Sequence, residues 1–265
     1  MRNWLKQHLN AIAHGPTPAQ RGQSMLELAL VLPILLLLLV GMVEVVVFIG
    51  RYLDLLDLTR EAARFGSQHD PDITDLAAGN FPAPGNYDCS ASNSYNFFYD
   101  TACVFSPPSD QIATCQQTTF CNGMNQYVPL DLTTDDVVIT VFTVNDLDQD
   151  GHPIADQVTN IWPTVGYWAL SDYDADLTHN ANWTKDCHGN VVRSQPYYTA
   201  SKINSVLEAD GPQATAFVAV EAFYCYHQVL DLPVFTNVVP DPIQIDAYSL
   251  MPIPAANPTP TPDNP

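Results

Sequence analysis

The feature that most constrains this chain is one long apolar run, residues 25–49. A helix rises about 1.5 Å per residue, so about 20 mainly apolar residues cross the hydrocarbon of a bilayer. From Leu28 to the end of the run, Glu44 is the only charged residue. The run is too long for the apolar core of a secretory signal, and no Ala-x-Ala cleavage site stands near its end. It therefore predicts a retained, single-pass membrane helix.

Charge is divided unevenly between the two sides of this run. Arg2, Lys6 and Arg21 precede it without any acidic residue, whereas the chain after Phe65 has three basic and 24 acidic residues. Because cytoplasmic flanks carry an excess of Lys and Arg, the N-terminus is predicted inside and the acidic part outside the cytoplasm. A chain with a net charge of -20 repels nucleic acid, so nucleic acid is excluded as a partner.

All six cysteines lie in the acidic part, which is typical of an exported protein in an oxidising compartment. They are Cys89, Cys103, Cys115, Cys121, Cys187 and Cys225. An even count allows three disulfides in many connectivities, and our hypothesis pairs Cys115 with Cys121 and Cys187 with Cys225. Structural zinc is the alternative use of cysteine, but no C-x-x-C spacing accompanies these residues.

The chain divides into four parts by composition. They are a cytoplasmic leader (1–22), a transmembrane helix with a stalk (23–66), an extracytoplasmic domain (67–251) and a Pro-rich tail (252–265). The tail is nearly half proline, so it cannot form a helix or a central strand and is predicted to be disordered.

The membrane helix is predicted to continue beyond the bilayer as a stalk, over residues 24–65 in all. Residues 51–65 are rich in good helix formers, and their apolar residues recur at three- and four-residue steps. Asp57 with Arg60 and Glu61 with Arg64 are predicted i,i+3 ion pairs. A glycine follows directly at position 66, where it is predicted to end the helix.

The acidic part contains three strand patterns and one short helix pattern. The clearest strand is residues 136–144, which is dense in β-branched residues, and 215–229 alternates as a half-buried strand would. Residues 243–250 are predicted as a third strand and residues 201–209 as a short helix. Residues 81–128 show neither a helical nor a strand periodicity of apolar residues, so this stretch is predicted to be held by disulfides. The fold class is therefore α+β: a long N-terminal transmembrane helix that continues as a stalk into a disulfide-containing, mostly antiparallel, β-rich extracytoplasmic head.

Several short motifs stand in order around the apolar run: Arg21-Gly22-Gln23, then Glu27, Leu32-Pro33 and the Arg60-Glu61-Ala62-Ala63-Arg64 stretch. They resemble those of the TadE-like family of minor pilins or pseudopilins from Tad (Flp-type) pilus systems. The resemblance covers residues 21–66. It implies a bitopic envelope protein of the bacterial cytoplasmic membrane that assists pilus assembly or joins the pilus, with other pilins or Tad assembly components as partners besides membrane lipid.

The resemblance also implies a processing site and an assembly residue. Gly22 corresponds to the residue before the cut made by a prepilin peptidase, and Glu27 to the fifth residue after it. This sequence has Gln23 where type IV-like pilins usually have Phe, so the cleaved and uncleaved forms both stay open. In pilins the glutamate pairs with the new N-terminal amine of a neighbouring subunit; in uncut protein Glu27 would be hydrated among headgroups instead. Glu44 lies deeper, where a packing partner on another helix is predicted.

A candidate metal site follows the first predicted strand. Asp146, Asp148 and Asp150 precede Gly151, and the backbone carbonyl of His152 would complete the opening of a calcium loop. Position 12 of an EF-hand loop is Gln here rather than Glu, so a related calcium-binding turn is predicted, with calcium as the cofactor. The alternative is an acidic hairpin turn without metal. A second D-x-D-x-D series lacks the glycine: Asp172, Asp174 and Asp176.

No catalytic motif accompanies these features, so an enzyme is not expected. The two function hypotheses are a pilin-like envelope protein in Tad-type pilus assembly, which includes the role of a minor pilin in the pilus itself, and a calcium-dependent, membrane-anchored surface adhesin or ligand-binding module. A mature N-terminus at Gln23 favours the first hypothesis, and loss of binding on chelation favours the second.

Overall fold

The computed structural model describes residues 18–69, 71, 89, 97–108, 120, 122–123, 125, 127–144, 158–163, 166–172, 181–207, 216–230 and 239–253. Side chains are described from Met25 onward, except that of Thr159. The chain forms two compact units, Met1–Val47 and Phe48–Pro265. The last part of the first helix therefore belongs to the same unit as the sheet.

Helix α1, Pro18–Ser67, is one continuous element of 50 residues with Pro33 inside it. This confirms the predicted long helix, with ends a few residues beyond the predicted ones. The two predicted ion pairs are also present: Arg60 contacts Asp57 at 3.5 Å, and Arg64 contacts Glu61 at 2.6 Å. Both pairs are exposed, so each contributes little to the stability of the fold.

The sheet is antiparallel throughout. Its strands are β1 (Asp136–Val144), β2 (Val158–Trp162), β3 (Trp168–Ala169), β4 (Ala216–Tyr226) and β5 (Ile243–Pro252). The order is β2-β1-β4-β5, and β3 pairs with β1 beside β2. Two short helices accompany the sheet: α2 (Phe97–Ala102) and α3 (Ala200–Leu207). The α+β class and the predicted strands are confirmed.

Strands β1 and β4 are buried along their whole length, so the prediction of a half-buried strand at 215–229 is wrong. Both strands lie inside the sheet, and both faces of β4 are covered. On one face, Phe142 and Phe217 stand opposite each other and pack with Ile203 and Leu207 of α3. Strand β5 shows the alternating burial expected of an edge strand.

Helix α1 covers the other face of β4 and runs antiparallel to it. Phe48 contacts Tyr226 with ring centroids 5.4 Å apart, and Gly66 lies against Val218. From position 48 to 66 the helix advances about 27 Å. From position 226 to 218 the strand advances about 26 Å. The lengths match, so the helix accompanies the strand between these two contacts.

The helix face that joins these two contacts carries two large apolar residues, Phe48 and Leu55, and then smaller residues. Phe48, Leu55, Thr59, Ala62 and Gly66 follow each other at steps of seven, four, three and four, which places them on one side of the helix. The middle three are fully buried. These buried residues belong to the part of α1 that lies in the globular unit, and Gly66 is where the close approach to β4 is observed.

Gly66 does not end the helix, so the prediction of a glycine stop is wrong. The helix continues to Ser67, and the glycines with positive φ among the described residues are Gly166 and Gly189. A Cβ atom at position 66 would lie 3.2 Å from Val218 Cγ2 and 3.3 Å from Phe97 Cζ. The glycine therefore serves the close approach of α1 to β4 and α2.

Substituting Gly66 with leucine should lower the free energy of unfolding by about 1 to 3 kcal/mol, because the added side chain enters a packed interface. Urea unfolding of the full chain in detergent, followed by tryptophan fluorescence, measures this. The matched control is Gly50→Leu in the same helix, where a Cβ meets nothing within 4 Å. Equal effects at both positions would contradict the packing role of Gly66.

Helix α2 lies within residues 81–128, where no regular element is predicted. Its Phe98 ring stacks with Trp168 at 6.1 Å, and a disulfide joins Cys89 to Cys103 directly after the helix. Asn125 donates hydrogen bonds to the carbonyls of Phe105 and Val128. The described part of this stretch is therefore held by aromatic packing and polar contacts as well as by the predicted disulfide bonding.

Candidate functional site

The predicted processing and assembly residues all lie on α1. Gly22 and Gln23 are within the helix, and their side chains are outside the described ones. Glu27 is exposed and Glu44 is half-buried. The two glutamates are separated by 17 residues, about 26 Å along the axis and about 100° around it. They are therefore two separate positions at different depths of the run rather than one site.

The apolar run has the surface of a lipid-facing helix. An 18-residue window within Met25–Ser67 has a mean hydropathy of 2.9, and none of it is buried. A core helix of a soluble domain would be covered by other elements instead. By length and composition this is the one helix among the described residues that could cross a membrane.

A buried carboxylate, Asp136, joins the start of β1 to two distant turns. Its Oδ2 accepts hydrogen bonds from Ser171 Oγ at 2.6 Å and from the Trp183 backbone N–H at 2.9 Å. Its Oδ1 accepts from the Ser171 N–H at 3.0 Å. Ser171 and Trp183 belong to the short helical turns Leu170–Asp172 and Asn182–Thr184. Asp136 thus determines where both turns lie against the sheet.

Glu221 lies on the same sheet face, in the middle of β4. Its carboxylate accepts hydrogen bonds from the backbone N–H groups of Tyr197, at 2.9 Å, and Tyr198, at 2.8 Å. An acid in a buried strand is costly unless its oxygens are satisfied. These two bonds satisfy it and bind the segment before α3 to the sheet.

Arg193 completes this group of polar contacts. Its guanidinium donates to both carboxylate oxygens of Asp246 at 3.1 and 3.0 Å, and to the carbonyls of Trp183 and Lys185. It also lies 4.5 Å above the ring of Phe223. One nitrogen, Nη2, reaches both carboxylate oxygens while Nη1 donates to the two carbonyls, so the guanidinium is held in one orientation at a mostly buried position.

Residues 181–199, which we name the cover segment, are thus fixed to the sheet at several points. Asp136 binds it at Trp183, Asp246 at Arg193, and Glu221 at Tyr197 and Tyr198. A disulfide adds a covalent attachment between Cys187 and Cys225, which confirms the predicted pair. Cys115 and Cys121 lie outside the described residues. The arrangement fixes a segment with little regular structure, and it has the character of a structural network.

Burial raises the pKa values of three carboxyl groups in and beside this network. Desolvation raises the pKa of Asp136 to about 6 and that of Glu221 to about 7, although hydrogen bonds from their neighbours act in the opposite direction. Asp135, which accepts from the backbone N–H groups of Asp131 and Cys225, has its pKa raised by desolvation to about 7. All three are fully or almost fully buried.

These pKa values predict that the protein is more stable at mildly acidic pH than at neutral pH. Asp135, Asp136 and Glu221 bind protons more tightly in the folded than in the unfolded state, so their contribution is complete near pH 4 and is lost as pH rises to about 7. The free energy of unfolding should fall by several kcal/mol over this range, since one pKa unit corresponds to about 1.4 kcal/mol. Repulsion within a chain of net charge -20 acts in the same direction.

Urea unfolding of the full chain in detergent at pH 4.5, 6 and 7.5 checks this prediction. Glu221→Gln removes one titrating group and should make the dependence on pH shallower, whereas Glu61→Gln, an exposed acid on α1, should leave it unchanged. Stability that rises from pH 4.5 to 7.5 would contradict the assigned direction.

The predicted metal residues are not brought together among the described residues. No group of three or more His, Cys, Asp or Glu side chains that could hold a metal ion occurs in the part of the chain that the structure describes. Asp146, Asp148, Asp150 and His152 lie outside it, as do Asp174 and Asp176. Asp172 is described, and its Oδ1 accepts a hydrogen bond from the Ala181 N–H at 2.8 Å.

The network on the sheet face was missed by motif reasoning. Glu221 is a single acid in a strand of otherwise apolar residues, and Arg193 is one of three basic residues after Phe65. Both facts are visible in the sequence and mark residues whose charge needs a partner. The identity of the partners is not visible, because most of them are backbone N–H groups of distant segments.

The fold and α1 together define a class: an α+β globular unit built onto one long helix whose first part has the length and composition of a membrane span. Residues 22–64 match the family model described as TadE-like protein. This match confirms the resemblance that the sequence motifs indicate. It lies within α1 and covers none of the sheet. No curated protein and no solved structure matches the chain.

Proposed function

We propose that this protein is a membrane-anchored, pilin-like envelope protein that acts in the assembly of a Tad-type pilus or as a minor pilin in it. The observation that carries the proposal is that residues 22–64, which match the TadE-like family, form one continuous helix with an exposed apolar run. The N-terminus lies in the cytoplasm and the acidic globular unit outside. The role is structural rather than catalytic.

In this proposal assembly uses the helix, and partner choice uses the acidic globular unit. A prepilin peptidase cuts after Gly22, and the new amine at Gln23 of one subunit meets Glu27 of the next. A carboxylate at the edge of hydrocarbon is costly unless it is neutralised, so this pairing also fixes the stagger between subunits. Glu44 packs against a neighbouring helix. The acidic surface outside attracts basic surfaces of other pilins or assembly components.

Mass spectrometry of the N-terminus tests the processing step. The protein is expressed in cells that contain a prepilin peptidase, and the mature chain should begin at Gln23. Gly22→Val should leave the leader in place, whereas Gly15→Val, a glycine elsewhere in the leader, should still be cut. A wild-type chain that retains its leader in such cells would overturn the cleaved-pilin reading and leave a permanent anchor.

A calcium-dependent, membrane-anchored surface adhesin or ligand-binding module is the second candidate, and the sequence pattern at Asp146, Asp148 and Asp150 supports it. Three carboxylates at two-residue spacing repel one another unless a cation screens them. Calcium should therefore raise the melting temperature of the full chain, and EDTA should lower it. Asp148→Asn should abolish the calcium effect and Asp57→Asn, on the exposed face of α1, should not. An unchanged melting temperature on chelation would count against the site.

A further inference from the structure

The ends of the connection between β4 and β5 carry exposed apolar side chains at the end of the sheet where Phe48 of α1 contacts Tyr226 of β4. Two observations indicate how far this end of the sheet lies from the bilayer surface. They are the contacts of α1 with β4 and the residues that follow the apolar run. The inference rests on the membrane anchoring in the proposed function.

The residues that follow the apolar run indicate where α1 leaves the hydrocarbon of the bilayer. Phe48 and Ile49 are the last apolar residues of the run, and Arg51 and Tyr52 follow after one glycine. Aromatic and basic side chains are enriched where a membrane helix leaves the hydrocarbon. The headgroup region therefore begins at about position 50 of the helix.

Because Phe48 contacts Tyr226, this end of β4 lies close to the position along α1 where the headgroup region begins. Their ring centroids are 5.4 Å apart, and β4 runs away from this point alongside the helix as far as Val218 at Gly66. Tyr226 is the last residue of β4, and it pairs with Ile243, the first residue of β5. The connection between the two strands therefore starts and ends at the level of the headgroups.

Both described ends of this connection, residues 227–230 and 239–242, expose apolar side chains. Val229 is 62% exposed, Leu230 40% and Val239 39%. The two ends are held together, because Gln228 donates its backbone N–H to Asp241 Oδ1 at 2.9 Å and its side-chain amide to the Val239 carbonyl at 3.3 Å. The exposed residues thus form one patch rather than two separate ones.

We propose that this patch inserts into the headgroup and acyl boundary of the same bilayer that α1 crosses. Burial of apolar area at that boundary is favourable. Of the described residues at these two ends, the one acid is Asp241, whose Oδ1 accepts the Gln228 N–H and lies 3.9 Å from His227 Nδ1. The patch contains neither Lys nor Arg for anionic headgroups, so it suits the apolar boundary of a zwitterionic bilayer. The globular unit then contacts the membrane through this patch as well as through α1.

Tryptophan quenching by brominated lipid tests the proposal on the full chain. Three variants are reconstituted in phosphatidylcholine vesicles whose acyl chains carry bromine near the headgroups, and in unbrominated vesicles. Val43→Trp reports the apolar run, Val239→Trp the patch, and Val206→Trp is the matched control. Val206 is 38% exposed, close to the 39% of Val239, but it lies on α3, which packs at the far end of β4. Emission of the wild-type protein is subtracted in each lipid.

The added emission of Val43→Trp and Val239→Trp should each fall about twofold in brominated lipid, and that of Val206→Trp should not change. If Val43→Trp is quenched and Val239→Trp behaves like Val206→Trp, the patch does not enter the bilayer and the proposal is overturned. If Val43→Trp is not quenched, the membrane anchoring itself is wrong, and the proposal fails with it. Quenching of Val239→Trp that grows with the ratio of protein to lipid, rather than with bromine content, would assign the patch to contacts between copies of the chain and overturn it as well.

Discussion

Replacing Asp136 with alanine is expected to lower the free energy of unfolding by about 3 to 5 kcal/mol. The substitution removes four hydrogen bonds, which come from Ser171 Oγ and from the backbone N–H groups of Ser171, Trp183 and the neighbouring Val137. These donors remain in a buried site without their acceptor, which costs more than the loss of the bonds alone. Urea unfolding of the full chain in detergent at pH 7 measures the change, with the buried Trp168 and Trp183 as fluorescent reporters.

The control for Asp136 is Asp57→Ala. Asp57 is an aspartate of the same globular unit, but it is exposed on α1 and its contact with Arg60 is 3.5 Å long. An exposed pair of this kind contributes at most about 1 kcal/mol. A similar small loss for both variants would show that Asp136 does not hold the turns against the sheet.

Local patterns in the sequence predict most of the secondary structure. Residues 136–144 are β1 with the predicted ends, because nine residues dense in β-branched side chains favour only one local structure. The faces of β4 were harder to predict. The side chains on both faces of β4 are apolar except for that of Glu221. The sequence pattern of β4 does not show that α1 covers one of these faces and α3 the other. The covering elements come from distant parts of the chain.

The role of Gly66 also could not be predicted from the local sequence. At the end of a helical pattern a glycine is usually a stop signal, and local sequence offers no other interpretation. Its actual environment includes Val218, which is more than 150 residues away in the chain. Close approach between distant elements is a property of packing, and the glycine is required by its neighbours rather than by its own backbone.

The proposed processing and assembly residues differ from the structural network in how the sequence marks them. Gly22, Glu27 and Glu44 follow from motifs along a single helix, so their order and spacing are fully present in the sequence. The partners of Asp136 and Glu221 are mostly backbone N–H groups, which every residue except proline has. No residue type marks them, so the network appears only when the cover segment is placed on the sheet.

Removing the disulfide between Cys187 and Cys225 by a double substitution to serine should destabilise the protein by about 4 kcal/mol. The bond closes a loop of 38 residues, and the loss of chain entropy in the unfolded state increases with the length of the closed loop. The same change at Cys89 and Cys103, which are 14 residues apart, should cost about 3 kcal/mol. Urea unfolding of both variants in detergent, beside the wild type with and without reductant, gives the comparison.

The location of Cys187 makes the result specific to the cover segment. The turn that contains Cys187 lies between the attachments at Trp183 and Arg193. Of the two disulfides in the described part of the chain, the one at Cys187 joins this turn covalently to β4. Its loss should therefore increase proteolysis between positions 184 and 192 before global unfolding, whereas loss of the Cys89–Cys103 bond should not. Limited proteolysis with mass spectrometry locates the cuts. Equal protection of this turn in both variants would show that Arg193 and Asp136 hold the segment without the disulfide.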